Sequence, residues 1–366
     1  MGASQSGRLK DKMNSDNNMA NDNSNNEGTS SSRPLSIQAP TTNNIQRVDN
    51  QPRQPRNLQG LLRFTMDAAK DENTSVPTTV APLDEERKKF LNDALNSLTV
   101  NPIEVLQKSV KILSNVMDLK AEDDPKDFEG ALEIIVNYVD SMDMANDFYK
   151  IGGFAIFGPC LNSPHSTIRW KAADIIAEVT QNNPYCQEKI LEMGLMPILL
   201  GMVDTDPSEQ ARIKALYAVS CIVRGNSLAL KYMDINDGYK ILMKAIQSPV
   251  EKLQIKSAFL LSALCSRENS HPIRTKLIKM GLIEQAAGLL SMESVLPDTR
   301  DRLLSLLNSL TANNNLPALR ECRRAELCLK MTLERHLKDL KDEEAVDEAQ
   351  LCSELLDKIF ADQLKN

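Results

Sequence analysis

A glycine-bearing step recurs along this chain. Ile151-Gly152, Met193-Gly194, Asp237-Gly238 and Met280-Gly281 stand at intervals of 42, 44 and 43 residues. Each is followed by a short apolar stretch and then a polar turn, such as Asn162-Ser163-Pro164-His165, Asp204-Thr205-Asp206-Pro207 or Gln247-Ser248-Pro249. After each turn comes a long apolar segment at helical spacing, over 168–180, 211–224, 253–266 and 299–312. The gap before the fourth widens at 292–297, so that unit is degenerate. A helix apolar on most of its circumference, as 212–224 is, needs neighbours on most sides. Units of this kind bury their faces only by stacking on one another.

An all-helical period of 42–44 residues with glycine at a helix junction predicts an all-α, armadillo/HEAT-like superhelical solenoid of about four repeats. The chain divides into a disordered N-terminal tail (1–83), an N-terminal helical cap (84–150), the repeats (151–315) and a C-terminal helical cap (316–366). Asp84 caps a first helix with Phe90, Ala94, Leu95 and Leu98 on one face; Asn101, Pro102 and Glu104 open a second. A third runs over 127–139. Leu327, Leu329, Leu337, Leu340, Leu351, Leu355 and Ile359 share one face of the charged end segment, the wetted terminal unit a solenoid requires. Aromatic residues make up only 4% of the chain, which favours helices over strands.

Residues 1–56 are rich in Asn, Ser, Gln and Pro and cannot bury enough surface to offset ordering entropy. Met1 to Ser6 fits the N-myristoylation pattern at Gly2, with Arg8, Lys10 and Lys12 nearby. One acyl chain gives only weak, reversible attachment, so no stable membrane association follows. A short apolar island, with Leu58, Leu61, Leu62, Phe64 and Met66 between arginines, occupies 56–66 and suits capture by a partner groove.

The chemistry the chain lacks is informative. It has no GxGxxG, GxxxxGK[ST], HExxH or GxSxG in a strand–turn–helix context, and only three histidines. Asp123-Asp124 and Glu343-Glu344 lie in polar runs and read as solvated charge. The seven cysteines form no CxxC pair and sit mostly on apolar patterns, as buried thiols do. A net charge of −7 argues against a nucleic-acid binder. No apolar run reaches 18 residues and no signal-peptide core is visible. The chain reads as a cytosolic monomer with access to the nucleus, not an enzyme, needing no cofactor or metal.

What remains is a surface. Aligning the long helices puts Lys171, Lys214, Lys256 and Arg302 in one row, and Asp174, Tyr217, Phe259 and Ser305 one turn on. Glu178, Cys221, Ala263 and Ser309 follow, then Gln181, Arg224, Ser266 and Ala312. In an armadillo array this helix lines the concave side, so the first row would be a ladder of positive charge suited to an acidic partner. A lysine there can equally lay its stem along a neighbour. The Trp and Asn ladders of armadillo proteins that carry peptides, such as nuclear-import receptors, are missing.

Several stretches resemble the eukaryotic armadillo-type nucleotide exchange factors of heat shock protein 70 chaperones. They are Arg56-Asn-Leu-Gln-Gly-Leu-Leu62, Glu129-Gly-Ala-Leu-Glu133, Met142-Asp-Met-Ala-Asn-Asp-Phe148, Ile168-Arg-Trp-Lys-Ala-Ala173, 214–224 and Lys256-Ser-Ala-Phe-Leu-Leu261. The chain departs from the family in its Asn/Ser-rich tail and at Met144 and Asn146. The resemblance implies a co-chaperone whose concave face embraces one lobe of the chaperone's ATPase domain, favours an open nucleotide cleft and so releases ADP and then substrate. It implies partner contacts at Ala145, Asn146 and Asp147, where a small residue permits close approach. Further along it implies Arg169, Lys171, Lys214, Tyr217, Arg224, Lys256 and Phe259. Trp170 packs between repeats. The island at 56–66 would mimic a chaperone substrate. The alternative is a passive armadillo adaptor or inhibitor joining the chaperone to partners such as ubiquitin machinery.

Overall fold

Each repeat turns on a residue that must take a left-handed backbone. The computed structural model describes Lys89, 101–339 and 346–361. The Gly2 pattern, the tail with Leu58, Leu61, Leu62, Phe64 and Met66, the face from Phe90 to Leu98, Leu340 and Glu343-Glu344 lie outside the described residues. Within those described there are only helices, seventeen of them α, and short 3-10 turns. Helices α1 (Pro102–Leu113) and α2 (Lys126–Tyr138) come first. Three-helix units follow: α3 (Met142–Lys150), α4 (Phe157–Leu161), α5 (Ser166–Thr180); then α6 (Pro184–Glu192), α7 (Leu195–Thr205), α8 (Glu209–Val223). The next are α9 (Ser227–Ile235), α10 (Gly238–Ile246), α11 (Glu251–Cys265); and α12 (His271–Lys279), α13 (Leu282–Ser291), α14 (Pro297–Leu310). A last set, α15 (Leu316–Cys322), α16 (Leu329–Asp339) and α17 (Val346–Phe360), keeps the same plan.

Between the first and second helix of each unit one residue has positive φ: Gly152 (82°), Gly194 (69°), Asp237 (54°), Gly281 (84°) and Cys328 (47°). Glycine adopts this conformation without a Cβ clash. The expectation that Gly238 is the third junction is corrected by one residue: Asp237 carries the left-handed turn and Gly238 opens α10. Gly238 is needed for a different reason. A Cβ there would lie 2.9 Å from the Met233 carbonyl oxygen and collide with the Met233 side chain.

The third helices start two residues before the predicted apolar pattern, because their first turns are polar. Helices α2, α5, α8, α11, α14 and α17 stack side by side as one continuous layer. In α8, Ala211, Ala215, Leu216, Ala218, Val219, Ile222 and Val223 have no exposed surface. Each large side chain among them contributes about 1.5–3 kcal/mol through burial. The first helices escape the sequence reading because their buried faces are narrow; in α9 only Ala229 and Met233 are buried. Their starts are marked instead by Asn183, which accepts from the Cys186 N–H, and Asn226, which accepts from the Leu228 and Ala229 N–H groups. Six of the seven cysteines are buried and Cys328 is exposed.

Candidate functional site

The third-helix layer is cross-linked by a staggered set of side chains. Every member of the cationic row reaches back to the preceding helix, one turn further on. Lys171 pairs with Glu133, and Lys214 Nζ lies 2.6 Å from Asp174 Oδ1. Lys256 Nζ stands 5.1 Å from the centre of the Tyr217 ring, and the Arg302 guanidinium 5.6 Å from that of Phe259. The second row reaches back in turn: the Tyr217 hydroxyl donates to Gln181 Oε1 at 3.2 Å, and the Phe259 ring lies 5.6 Å from the Arg224 guanidinium. The expected row of four positive charges is present, and each of its members has a partner on the preceding helix. Its first two rungs are neutralised by carboxylates of the neighbouring helix; its last two rest on aromatic rings.

Burial tunes these groups. Glu178, half-buried in α5, has its carboxyl raised above the ordinary range by burial and by neighbouring Asp174, against the pull of Lys214. Burial, and then the nearby Lys214, lowers the Lys256 ammonium. Burial raises the Tyr217 phenol and pushes the Cys221 thiol up to about 12, so Cys221 serves as a small apolar residue on this face. Arg224 is exposed.

Other expected contact residues do structural work. The side chain of Arg169 is only 12% exposed; Nε and Nη2 each donate to Asp206 at 2.8 Å, and Nη1 to the Ser163 and Pro164 carbonyls at 3.0 Å. It ties the turn before α5 to the turn before α8, with four of its five N–H donors committed inside the protein. Ala145 is 2% exposed, so its methyl belongs to the core and not to an accessible surface. Asn146 Oδ1 accepts from Asn183 Nδ2 at 3.0 Å, linking α3 to the cap of α6. Asp147 pairs with Lys150 at 2.8 Å on the same first-helix layer. Ala145, Asn146 and Asp147 therefore stand on a first helix, not in the third-helix stack that carries the other predicted residues. Trp170 is half-buried against the core with Lys171 Nζ 5.5 Å from its ring centre.

Two polar groups become legible only in the folded chain. Buried Gln187 donates to the Thr180 and Cys221 carbonyls and accepts from Asn226, stitching successive units together. Ser262, Ser266 and Ser309 form a hydroxyl cluster between α11 and α14, with contacts of 2.8 and 2.9 Å. Only the row positions of Ser266 and Ser309 signalled it. Among the described residues no group of three or more His, Cys, Asp or Glu could hold a metal.

With this geometry in hand, known proteins are informative. The family described as "Nucleotide exchange factor Fes1" matches residues 58–148, and the "SIL1/FES1/HPBP1 C-terminal domain" matches 144–279. Hsp70-binding protein 1 of Macaca fascicularis is 34% identical, over 85% of this chain and 86% of its own length. The chain belongs to the SIL1/FES1/HPBP1 family. Within that family the Hsp70 nucleotide exchange factor FES1 of Mycosarcoma maydis is 31% identical over 37% of this chain and 34% of its own. Nucleotide exchange factor SIL1 of Mus musculus is 25% identical over 74% of this chain and 60% of its own. Among solved structures, the designed armadillo repeat protein YIII(Dq)4CqI superposes with a TM-score of 0.55 at 19% identity, over 69% of this chain and 99% of that one. That likeness establishes the armadillo fold alone.

Proposed function

We propose that this chain is a co-chaperone that binds the ATPase domain of an Hsp70 chaperone and accelerates loss of ADP, and with it release of substrate. The observation that carries the reading is the relationship to Hsp70-binding protein 1 over 85% of the chain. The third-helix layer supports it physically: Tyr217, Arg224 and Phe259 are of the aromatic and guanidinium types that anchor interfaces, and Lys256 lies against the Tyr217 ring.

The mechanism needs no bond chemistry from this protein. A partner that binds the open-cleft state of the chaperone better than the closed state weakens ADP by the same coupling free energy. Accelerating release 100-fold requires lowering the barrier by about 2.7 kcal/mol. The layer that would receive the partner runs through six stacked helices. The apolar island at 56–66 would compete with bound peptide while the folded part ejects ADP. The protein would work as a monomer in the cytosol and nucleus; among the described residues no helix is long and apolar enough to cross a membrane.

Stopped-flow release of fluorescent ADP from purified Hsp70, with and without this chain, tests the reading. Acceleration of at least tenfold is expected. Binding without acceleration would replace exchange by a passive adaptor role. Removing residues 1–70 should leave ADP release intact and slow peptide release.

A further inference from the structure

The pairing of charges changes sign of surplus along the third-helix layer. At one helical position Lys171 and Lys214 are matched by Glu133 and Asp174, so folding alone can neutralise a cation there. One and two units later the same position holds Lys256 and Arg302, which meet rings instead. Arg224 joins them, so Phe259 has a guanidinium 5.6 Å away from each neighbouring helix. Among the described residues Arg224 and Lys256 make no ion pair, and the nearest carboxylate to Arg302 is its chain neighbour Asp301, at 3.8 Å. Two cations without an ion pair, and a third held only by its chain neighbour, are not what stability selects in a chain of net charge −7.

The opposite surplus sits at the other end. The Glu178 carboxylate in α5 makes no hydrogen bond or ion pair among the described residues, and it lies beside Asp174 while partly buried. A carboxylate so placed pays desolvation and like-charge repulsion that Lys214, already paired with Asp174, offsets only in part. The layer thus holds a carboxylate without an ion pair at α5 and under-compensated cations from the end of α8 to α14.

Resting on the chaperone-binding reading above, we infer that this polarity orients the partner. The chaperone surface seated on the wall presents carboxylates opposite Arg224, Lys256 and Arg302, and a lysine or arginine opposite Glu178. Contact with the Phe259 and Tyr217 rings restrains the receiving cations before binding, which limits the entropy lost on binding. A partner laid the other way round would meet like charges at both ends.

The test measures Hsp70 binding by calorimetry as a function of NaCl for the full chain and for R224Q, K256Q, R224E/R302E and E178K. Expected are Kd increases of about tenfold or more for R224E/R302E and E178K, and a shallower salt dependence for R224Q and K256Q. Melting temperature and far-UV circular dichroism verify the fold of each variant. If the reversals fail to fold, the two neutral variants decide through their salt slopes. Unchanged affinity and slope in folded variants would overturn the polarity while leaving chaperone binding intact. Failure of the unaltered chain to bind Hsp70 would instead remove the functional reading.

Discussion

Lys214 Nζ lies 2.6 Å from Asp174 Oδ1, on the third helix of the preceding unit. The two residues are 40 positions apart in the chain and share no local pattern. Their side chains are 27% and 21% exposed, sheltered enough for the pair to matter. Replacing either partner by its uncharged isostere, as in Asp174→Asn, should cost about 1 kcal/mol in urea unfolding. An unchanged denaturation midpoint would show the pair to be energetically idle.

Gly238 and Asp237 should respond oppositely to substitution, although they are neighbours. Gly238→Ala drives a methyl into the Met233 carbonyl and side chain and should destabilise by about 1–3 kcal/mol. Asp237→Gly relieves a non-glycine residue at φ 54° and should be neutral or stabilising by up to about 1 kcal/mol. Paired thermal melts separate the two positions.

Ala145→Arg should abolish function by unfolding the first unit. The side chain it replaces is 2% exposed, and a buried guanidinium without a partner costs about 3 kcal/mol or more. Loss of helical signal or a sharply lower melting temperature should accompany lost binding. A stable, folded Ala145→Arg protein that fails to bind would return Ala145 to the contact surface.

Arg224→Ala should behave in the contrary way. Arg224 is exposed, and among the described residues its side chain meets only the Phe259 ring, so truncation spares the fold. Slower ADP release from Hsp70 at unchanged melting temperature is expected, and full exchange activity in this variant would remove Arg224 from the site.

His336 makes stability depend on pH. Burial, and after it the nearby Arg300 and Arg335, lowers its imidazole below the ordinary value of 6.5, although the Leu290 carbonyl accepting its Nε2–H at 2.9 Å opposes this. The folded state therefore holds the neutral ring and the unfolded chain takes the proton more readily. Its contribution is complete above 6.5 and is lost as pH falls through that value toward the lower folded one. The melting temperature should drop more between pH 7.5 and 5.5 for the unaltered chain than for His336→Gln. Equal drops would assign the acid sensitivity elsewhere.

The repeat period, the helical class and the four long helices follow from the sequence alone, because apolar spacing is a local property that survives without knowledge of neighbours. The alignment of those helices even ordered Lys171, Lys214, Lys256 and Arg302 into one row. What that row does was decided only by tertiary structure. Lys214 and Lys256 occupy equivalent positions, yet one meets a carboxylate and the other a tyrosine ring, because the residue on the adjacent helix differs. Arg169 reads as a surface cation until Asp206, 37 residues on, closes around it. Ala145 reads as a small, accessible residue until the packing of α3 buries it. A chain's own periodicity specifies which face turns inward; the partner met across a helix interface depends on where another helix comes to rest, and that is a property of the stacked fold.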